Sequence, residues 1–231
     1  MIANPGHSLI EDAGLTPRKQ RDLRVTLDRI LTAAEIEFAN LGLEGVRMQD
    51  VARRAHVSRQ TVYTYFPDKL SLFQEMYRRF MQRNGEMLFS VEFETMAPVE
   101  ALVAYVECQF RTYTDHGHLA VESWHCDEAV QIERLTPDIT ARAVKVLDGI
   151  LKRGQSAGLF RSDIDSETVF CRSNAVCLGS ISSAGLMSRI FMNDHHSGVA
   201  MTSWRDFCVQ SILNLTMRHT GAALSRHQEK A

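Results

Sequence analysis

From Leu27 to Arg218 the apolar residues of this chain return every three or four positions, and no stretch alternates as a half-buried strand requires. That period admits helices and little else. Leu27, Ile30, Leu31, Ala34, Phe38 and Leu41 make one helical face, and Gly42 follows as a C-terminal stop. A short helix is expected over about 48–55, with Met48, Val51, Ala52 and Ala55 inward, and another over about 59–65. Pro67 ends the latter, and Asp68 is placed to cap a long helix from Lys69 towards Phe89. Helical patterns continue over 99–114, 119–135, 137–157 (stopping at Gly158), 166–190 and 202–218, with residues 193–198 as a polar loop. The last two helices are apolar around more of their circumference, which suits burial or pairing with another subunit. The fold class expected is all-α.

With 231 residues, 45% hydrophobic and 23% charged, the chain has room for one large or two smaller globular domains. No run of 18 apolar residues is present, and residues 1–16 lack the basic start and apolar core of a signal peptide, so a cytoplasmic protein is expected. Cys108, Cys126, Cys171, Cys177 and Cys208 form no C-x-x-C pair and read as small buried hydrophobes. The sequence has no Gly-rich phosphate loop, no Gly-x-Ser-x-Gly and no His-Glu-x-x-His, so no enzyme is expected. His116-Gly117-His118 and His195-His196 lack helical ligand spacing and a clear carboxylate partner, so neither metal nor other cofactor is expected.

Charge is uneven. The net value is −2, yet residues 47–69 hold five bases against two acids, while residues 70–231 hold sixteen against nineteen. The two ends therefore suit different partners. Residues 1–22 contain Asn4-Pro5-Gly6, Gly14 and Pro17 and read as a mobile tail. Its basic end, Arg18-Lys19-Gln20-Arg21, is either a solvated terminus or an arm that follows DNA phosphates or enters a minor groove.

Two short helices joined by three residues, the first with alanines at its packing face, describe a helix-turn-helix. His56 stands where the turn needs positive φ, and Ser58 is positioned to cap the second helix through the amide of Gln60 or Thr61. At 100° per residue Val62 and Phe66 point inward. Gln60, Thr61 and Thr64 then lie on the opposite side, flanked by Tyr63 and Tyr65. Gln, Thr and Tyr without aliphatics suit the edges of bases in a major groove better than a core. Arg59 and Lys69, each at a helix start, would meet backbone phosphates.

Residues 31–77 resemble the DNA-binding domain of TetR-type transcriptional regulators. The resemblance rests on Ala33-Ala34, Phe38 and Gly42, on Val51-Ala52 and Val57-Ser58, and on Thr61-Val62-Tyr63-x-Tyr65-Phe66-Pro67-Asp68-Lys69-x-x-Leu72-Phe73. It implies that Gln49, Arg59, Gln60, Thr61, Tyr63, Thr64 and Tyr65 face a double-stranded operator and that Lys69 holds phosphate. The family's glycine before Val57 is His56 here, and Val46 and Arg47 replace hydroxyl residues, so a phosphate contact is expected to pass to Arg47. The resemblance further implies a larger helical C-terminal domain that dimerises through the last two long helices and encloses a small-molecule effector.

The expected organisation is a tail over 1–22, a helix-turn-helix domain over 23–70 and an effector and dimerisation domain over 71–231. Tyr105, Gln109, Phe110, Tyr113, Trp124, His125, Met187 and Phe191 are candidates to line the effector pocket. The implied function is a homodimeric repressor released from a palindromic operator by its effector. A helical binding or scaffold protein whose helix-turn-helix no longer binds DNA is the alternative.

Overall fold

The computed structural model describes residues 16–115, 136–191 and 197–218, without side chains at 115, 180–191 and 197–202. The helices are α1 (Pro17–Gly45), α2 (Met48–Arg54), α3 (Arg59–Tyr65), α4 (Lys69–Phe89), α5 (Pro98–Asp115), α6 (Pro137–Ser156), α7 (Ser166–Phe191) and α8 (Ser197–Thr216). A 3-10 turn, Phe93–Thr95, separates α4 from α5. Among the described residues the only extended pairing is an isolated antiparallel bridge, Phe160 to Met217. The segment expected to be helical at 119–135 lies outside the described residues.

Helix α1 begins earlier than its hydrophobic stripe. Pro17 occupies the first turn, where its missing N–H costs nothing, and Thr16 caps the helix by accepting from the amide of Lys19 at 3.4 Å. Residues 17–22 are thus helical instead of part of a tail. At the other end Gly42 takes φ +67°, a conformation open to glycine at no steric cost, and breaks the helical path. Leu41, expected inside, is half exposed at 51%. Beyond the break the core takes Leu43 and Val46 instead.

The described residues fall into two compact units that divide within α4, between Asn84 and Gly85, and not at residue 70. The reason lies in the packing. Leu72, Phe73 and Met76 of α4 are buried with Ile30, Ala34 and Phe38 of α1, Val51 of α2, and Val62 and Phe66. Phe38 and Phe73 meet edge to face at 5.0 Å. Each of these buried side chains larger than alanine contributes roughly 1.5–3 kcal/mol to holding this unit together. Ion pairs tie its periphery: Arg54 to Glu37 at 2.6 Å, Arg79 to Asp28 at 2.7 Å, and Arg83 to Glu35.

The second unit has its own core, which includes Leu102, Tyr105 and Val106 of α5, Leu147 and Ile150 of α6, and Val169 and Cys177 of α7. Phe160, Cys208 and Ile212 complete it. Arg153 of α6 donates to the carbonyls of Phe93, Glu94 and Met96 at 2.6, 3.0 and 2.9 Å and so fixes the link between α4 and α5. After α6, Gly158 turns the chain at φ +72°, and Phe160 folds back over Gly154. Asp165 caps α7, accepting from the amide of Thr168 at 2.7 Å. Helix α8 starts at Ser197, so Ser197 and Gly198 belong to it and not to the polar loop expected there. Cys177 and Cys208 are buried, as their surroundings implied, whereas Cys171 is exposed on α7. No helix among the described residues is long and apolar enough to cross a membrane.

Candidate nucleic-acid interface

Helices α2 and α3 are joined by a turn whose geometry depends on one residue. His56 adopts φ +53°, the only non-glycine with positive φ among the described residues. This lets the amide of Val57 reach the carbonyl of Ala52 at 3.0 Å and points the chain into α3. Arg29 of α1 braces the turn from outside, donating to the carbonyls of Ala55 at 2.6 Å and His56 at 3.1 Å. Arg29 is not among the residues that the sequence pattern singles out. The signal was present in a lone arginine beside the stripe residue Ile30, opposite a turn whose carbonyls need donors.

Ser58 caps α3, accepting from the amide of Thr61 at 3.0 Å, and its hydroxyl lies 2.8 Å from that of Thr61. Such a cap is worth about 1 kcal/mol. Val62 and Phe66 are fully buried, as the helical wheel required. The other side carries Arg59, Gln60 and Thr64 exposed, with Thr61 and Tyr63 half-buried. Arg59 lies over the ring of Tyr63 with its guanidinium carbon 5.3 Å from the centroid, which prearranges a flat cation beside a phenol. Thr64 donates its hydroxyl proton to the carbonyl of Gln60 at 2.9 Å, leaving the oxygen as an acceptor. Arg47 and Gln49, at the start of α2, are exposed.

One expected contact differs. Tyr65, grouped with the operator-facing residues, is 2% exposed, and its hydroxyl donates to the carbonyl of Leu23 at 3.1 Å. It is a core residue that joins α3 to α1. Burial raises its phenol above the ordinary tyrosine range, with the Thr26 side chain acting in the opposite direction. Lys69 is half-buried, and its ammonium donates to the carbonyl of Glu44 at 3.2 Å. A single bond leaves two of its three protons free for a phosphate.

In the second unit Tyr105 and Phe110 are core residues, and Tyr105 donates to the carbonyl of Ala143 at 3.1 Å. Tyr113 bonds Asn174 at 2.6 Å. Gln109, between them on α5, is 7% exposed, and its side-chain oxygen finds no hydrogen-bond partner among the described residues. Trp124 and His125 lie outside the described residues. Met187 and Phe191 lie on α7, where only the backbone is described. An open groove of about 1160 Å³ runs elsewhere, lined by Phe89, Phe93, Arg142, Lys145, Gly149 and Arg153, none of which the sequence pattern singles out. Arg142 stacks on Phe89 there at 3.9 Å.

The two units match two family models. Residues 30–76 match the model described as bacterial regulatory proteins of the tetR family, and residues 98–212 match the tetracycline repressor-like C-terminal domain. The chain belongs to the TetR family of transcriptional regulators.

Relatives span both units. The transcriptional repressor NicS of Pseudomonas putida is 26% identical over 190 residues, covering 79% of this chain and 88% of its own. KstR2 of Rhodococcus jostii, also a repressor, is 28% identical over 149 residues, 61% of this chain and 71% of its own. Among solved structures, a putative regulator from Saccharomonospora viridis in complex with choline superposes with a TM-score of 0.66 at 24% identity, over 84% of this chain and 98% of that one. FadR of Bacillus subtilis in complex with stearoyl-CoA gives 0.62 at 16% identity, over 80% and 96%. These two likenesses establish the fold. The family makes the protein a DNA-binding transcriptional regulator.

Proposed function

We propose that the protein is a homodimeric repressor that leaves a palindromic operator when a small molecule binds its second unit. The polar face of α3 carries this reading. Gln60, Thr61, Tyr63 and Thr64 stand outward while Val62, Tyr65 and Phe66 anchor the opposite side in the core. Such a face gains nothing from packing and offers donors and acceptors that match the edges of bases. Two copies would place two α3 helices in successive major grooves, about 34 Å apart. The last two helices, α7 and α8, are proposed as the dimer contact. The half-exposed Phe207, edge to face with Trp204 at 5.8 Å, offers apolar surface there.

The buried, unpartnered oxygen of Gln109 supports an effector in the second unit. A ligand that donates a hydrogen bond to it would remove a desolvation cost of about 1–3 kcal/mol. The choline and stearoyl-CoA held by structures of the same fold favour a small molecule as effector. An effector that prefers the DNA-incompetent state needs a coupling of only about 1–3 kcal/mol to act.

Selection of bound sequences from a random duplex pool, with protein as purified and after unfolding and refolding to strip bound ligand, tests the reading. A palindromic motif recovered from at least the refolded sample is expected. Recovery of no motif from either sample would overturn the reading.

A further inference from the structure

We propose that the groove beside α6 is a second contact between copies of this chain, separate from the α7–α8 pairing, in which the Arg142 and Lys145 wall of each copy meets the Glu92 and Glu94 wall of the other. The proposal goes beyond the reading above and does not depend on how α3 meets DNA.

The first observation is charge that finds no partner within the fold. The groove carries three cations, Arg142, Lys145 and Arg153, and three acids, Glu92, Glu94 and Asp148. Two of the six are occupied. Asp148 pairs with Lys152 at 2.8 Å, and the guanidinium of Arg153 is taken up by the carbonyls of Phe93, Glu94 and Met96. The side chains of Arg142, Lys145, Glu92 and Glu94 are exposed and form no ion pair or hydrogen bond with any described residue. The free cations come from α6 and the free acids from the link between α4 and α5, so the groove has two walls of opposite sign. Arg142 is held by stacking on Phe89 at 3.9 Å, which keeps its flat fork of donors in place.

The second is a glycine that nothing inside the fold requires. Gly149 is exposed in the middle of α6, one turn past Lys145, and a Cβ there would meet no atom within 4 Å. Glycine weakens a helix interior, and here no neighbour needs the space. The gap lets an outside body come close to the α6 backbone. Arg142, Lys145 and Gly149 recur at intervals of three and four, so cations and gap share one face over about 10 Å. Phe89, Val91 and Val146, half-buried, add apolar surface to the same groove.

The third is the balance of signs. A groove with equal charges of both signs draws neither a polyanion nor a polycation. At about 1160 Å³ and open to solvent, it is also larger than the roughly 300–1,000 Å³ that encloses a small molecule. What complements it is a surface with the same two walls in reverse order. A two-fold axis supplies that surface from a second copy, because residue i then meets j while j meets i. Two free cations and two free acids on each copy match one another across such a contact.

The experiment measures the mass of the full chain by sedimentation over a wide range of concentration, at low and at high salt. Four proteins are compared: the wild type, Gly149→Leu, which fills the gap, Arg142→Glu with Lys145→Glu, and Glu92→Lys with Glu94→Lys. At low salt the wild type should reach twice the mass of Gly149→Leu, which should melt no lower than the wild type. High salt should weaken the doubling by screening. Neither charge variant should double alone, because both of its walls carry one sign, whereas an equimolar mixture of the two should assemble as the wild type does. The mass of Gly149→Leu reports on the α7–α8 pairing by itself: two chains where that pairing holds, one where it fails. A wild type that never exceeds the mass of Gly149→Leu, a doubling that survives in either charge variant alone, or a mixture that stays unassembled would each overturn the proposal.

Discussion

The hydroxyl of Tyr65 donates to the carbonyl of Leu23 at 3.1 Å, a bond that joins the end of α3 to α1 across 42 positions of sequence. With Arg29 on the carbonyls of Ala55 and His56, it holds α3 at both ends by side-chain to backbone bonds. A helix of seven residues is too short to be stable alone, so the orientation of its outward face depends on these ties and on the buried Val62 and Phe66. The base reading proposed for Gln60, Thr61 and Thr64 rests on that fixed orientation.

Tyr65→Phe should therefore cost stability and not sequence preference. The ring still fills its site, but the Leu23 carbonyl loses its donor, at a cost of about 0.5–1.5 kcal/mol in urea denaturation. Sequence selection by the variant should return the wild-type motif. A changed motif would mean that the Tyr65 hydroxyl touches bases.

Stability should fall above pH 10. Burial pushes the phenol of Tyr105 up, with the neighbouring Cys108 adding to the shift, and burial raises Tyr65 as well. Unfolded phenols titrate near 10, so below that pH both states keep their protons and the burial costs nothing. Above it the unfolded chain releases protons that the folded chain retains, and stability is lost at up to about 1.4 kcal/mol per pH unit for each phenol until the raised folded values are passed. Tyr105→Phe should flatten this slope in denaturant titrations between pH 9 and 11. An unchanged slope would place the sensitivity elsewhere.

The helical period reveals the fold, because each stripe has a core to meet. The bounds of α3 follow from Ser58 and Pro67, whose effects are local. Tyr65 escapes such reasoning because it sits about 60° from Val62 on the wheel, at a seam where a phenol can be buried if its hydroxyl finds an acceptor. The acceptor, Leu23, is remote in sequence. The start of α1 is hidden for a different reason: Thr16 and Pro17 signal a helix, but no apolar stripe begins there to draw attention to them. Leu41 fits the stripe and still lies exposed, because Gly42 redirects the chain and Leu43 takes the buried place.

At position 56 the order of stability should be Gly, His, Val. Glycine adopts positive φ without steric cost, histidine tolerates it, and a β-branched residue opposes it, for a total spread of about 2 kcal/mol. Thermal or urea midpoints of the three proteins check this. A valine variant as stable as the wild type would show that the turn does not need positive φ.

Two glycines on α6 should respond oppositely to alanine. A Cβ on Gly154 would overlap the buried ring of Phe160, which must move, at about 1–3 kcal/mol. Gly149 has no atom near where a Cβ would stand, so Gly149→Ala should stabilise by up to about 1 kcal/mol through helix propensity. Urea midpoints shifting in opposite directions are expected. Shifts of the same sign would contradict the packing described around Phe160.

The most direct test of the central claim, that the outward face of α3 reads base sequence, is parallel selection from a random duplex pool by the wild type, Thr64→Ala, Tyr63→Ala and Lys69→Ala. Thr64→Ala and Tyr63→Ala should each relax the preference at particular positions in both half-sites, with binding to the wild-type motif weakened by about 1–3 kcal/mol. Lys69→Ala should keep the motif and flatten the salt dependence. If Thr64→Ala and Tyr63→Ala instead returned the wild-type motif with undiminished preference at every position, α3 would not be the element that reads the operator.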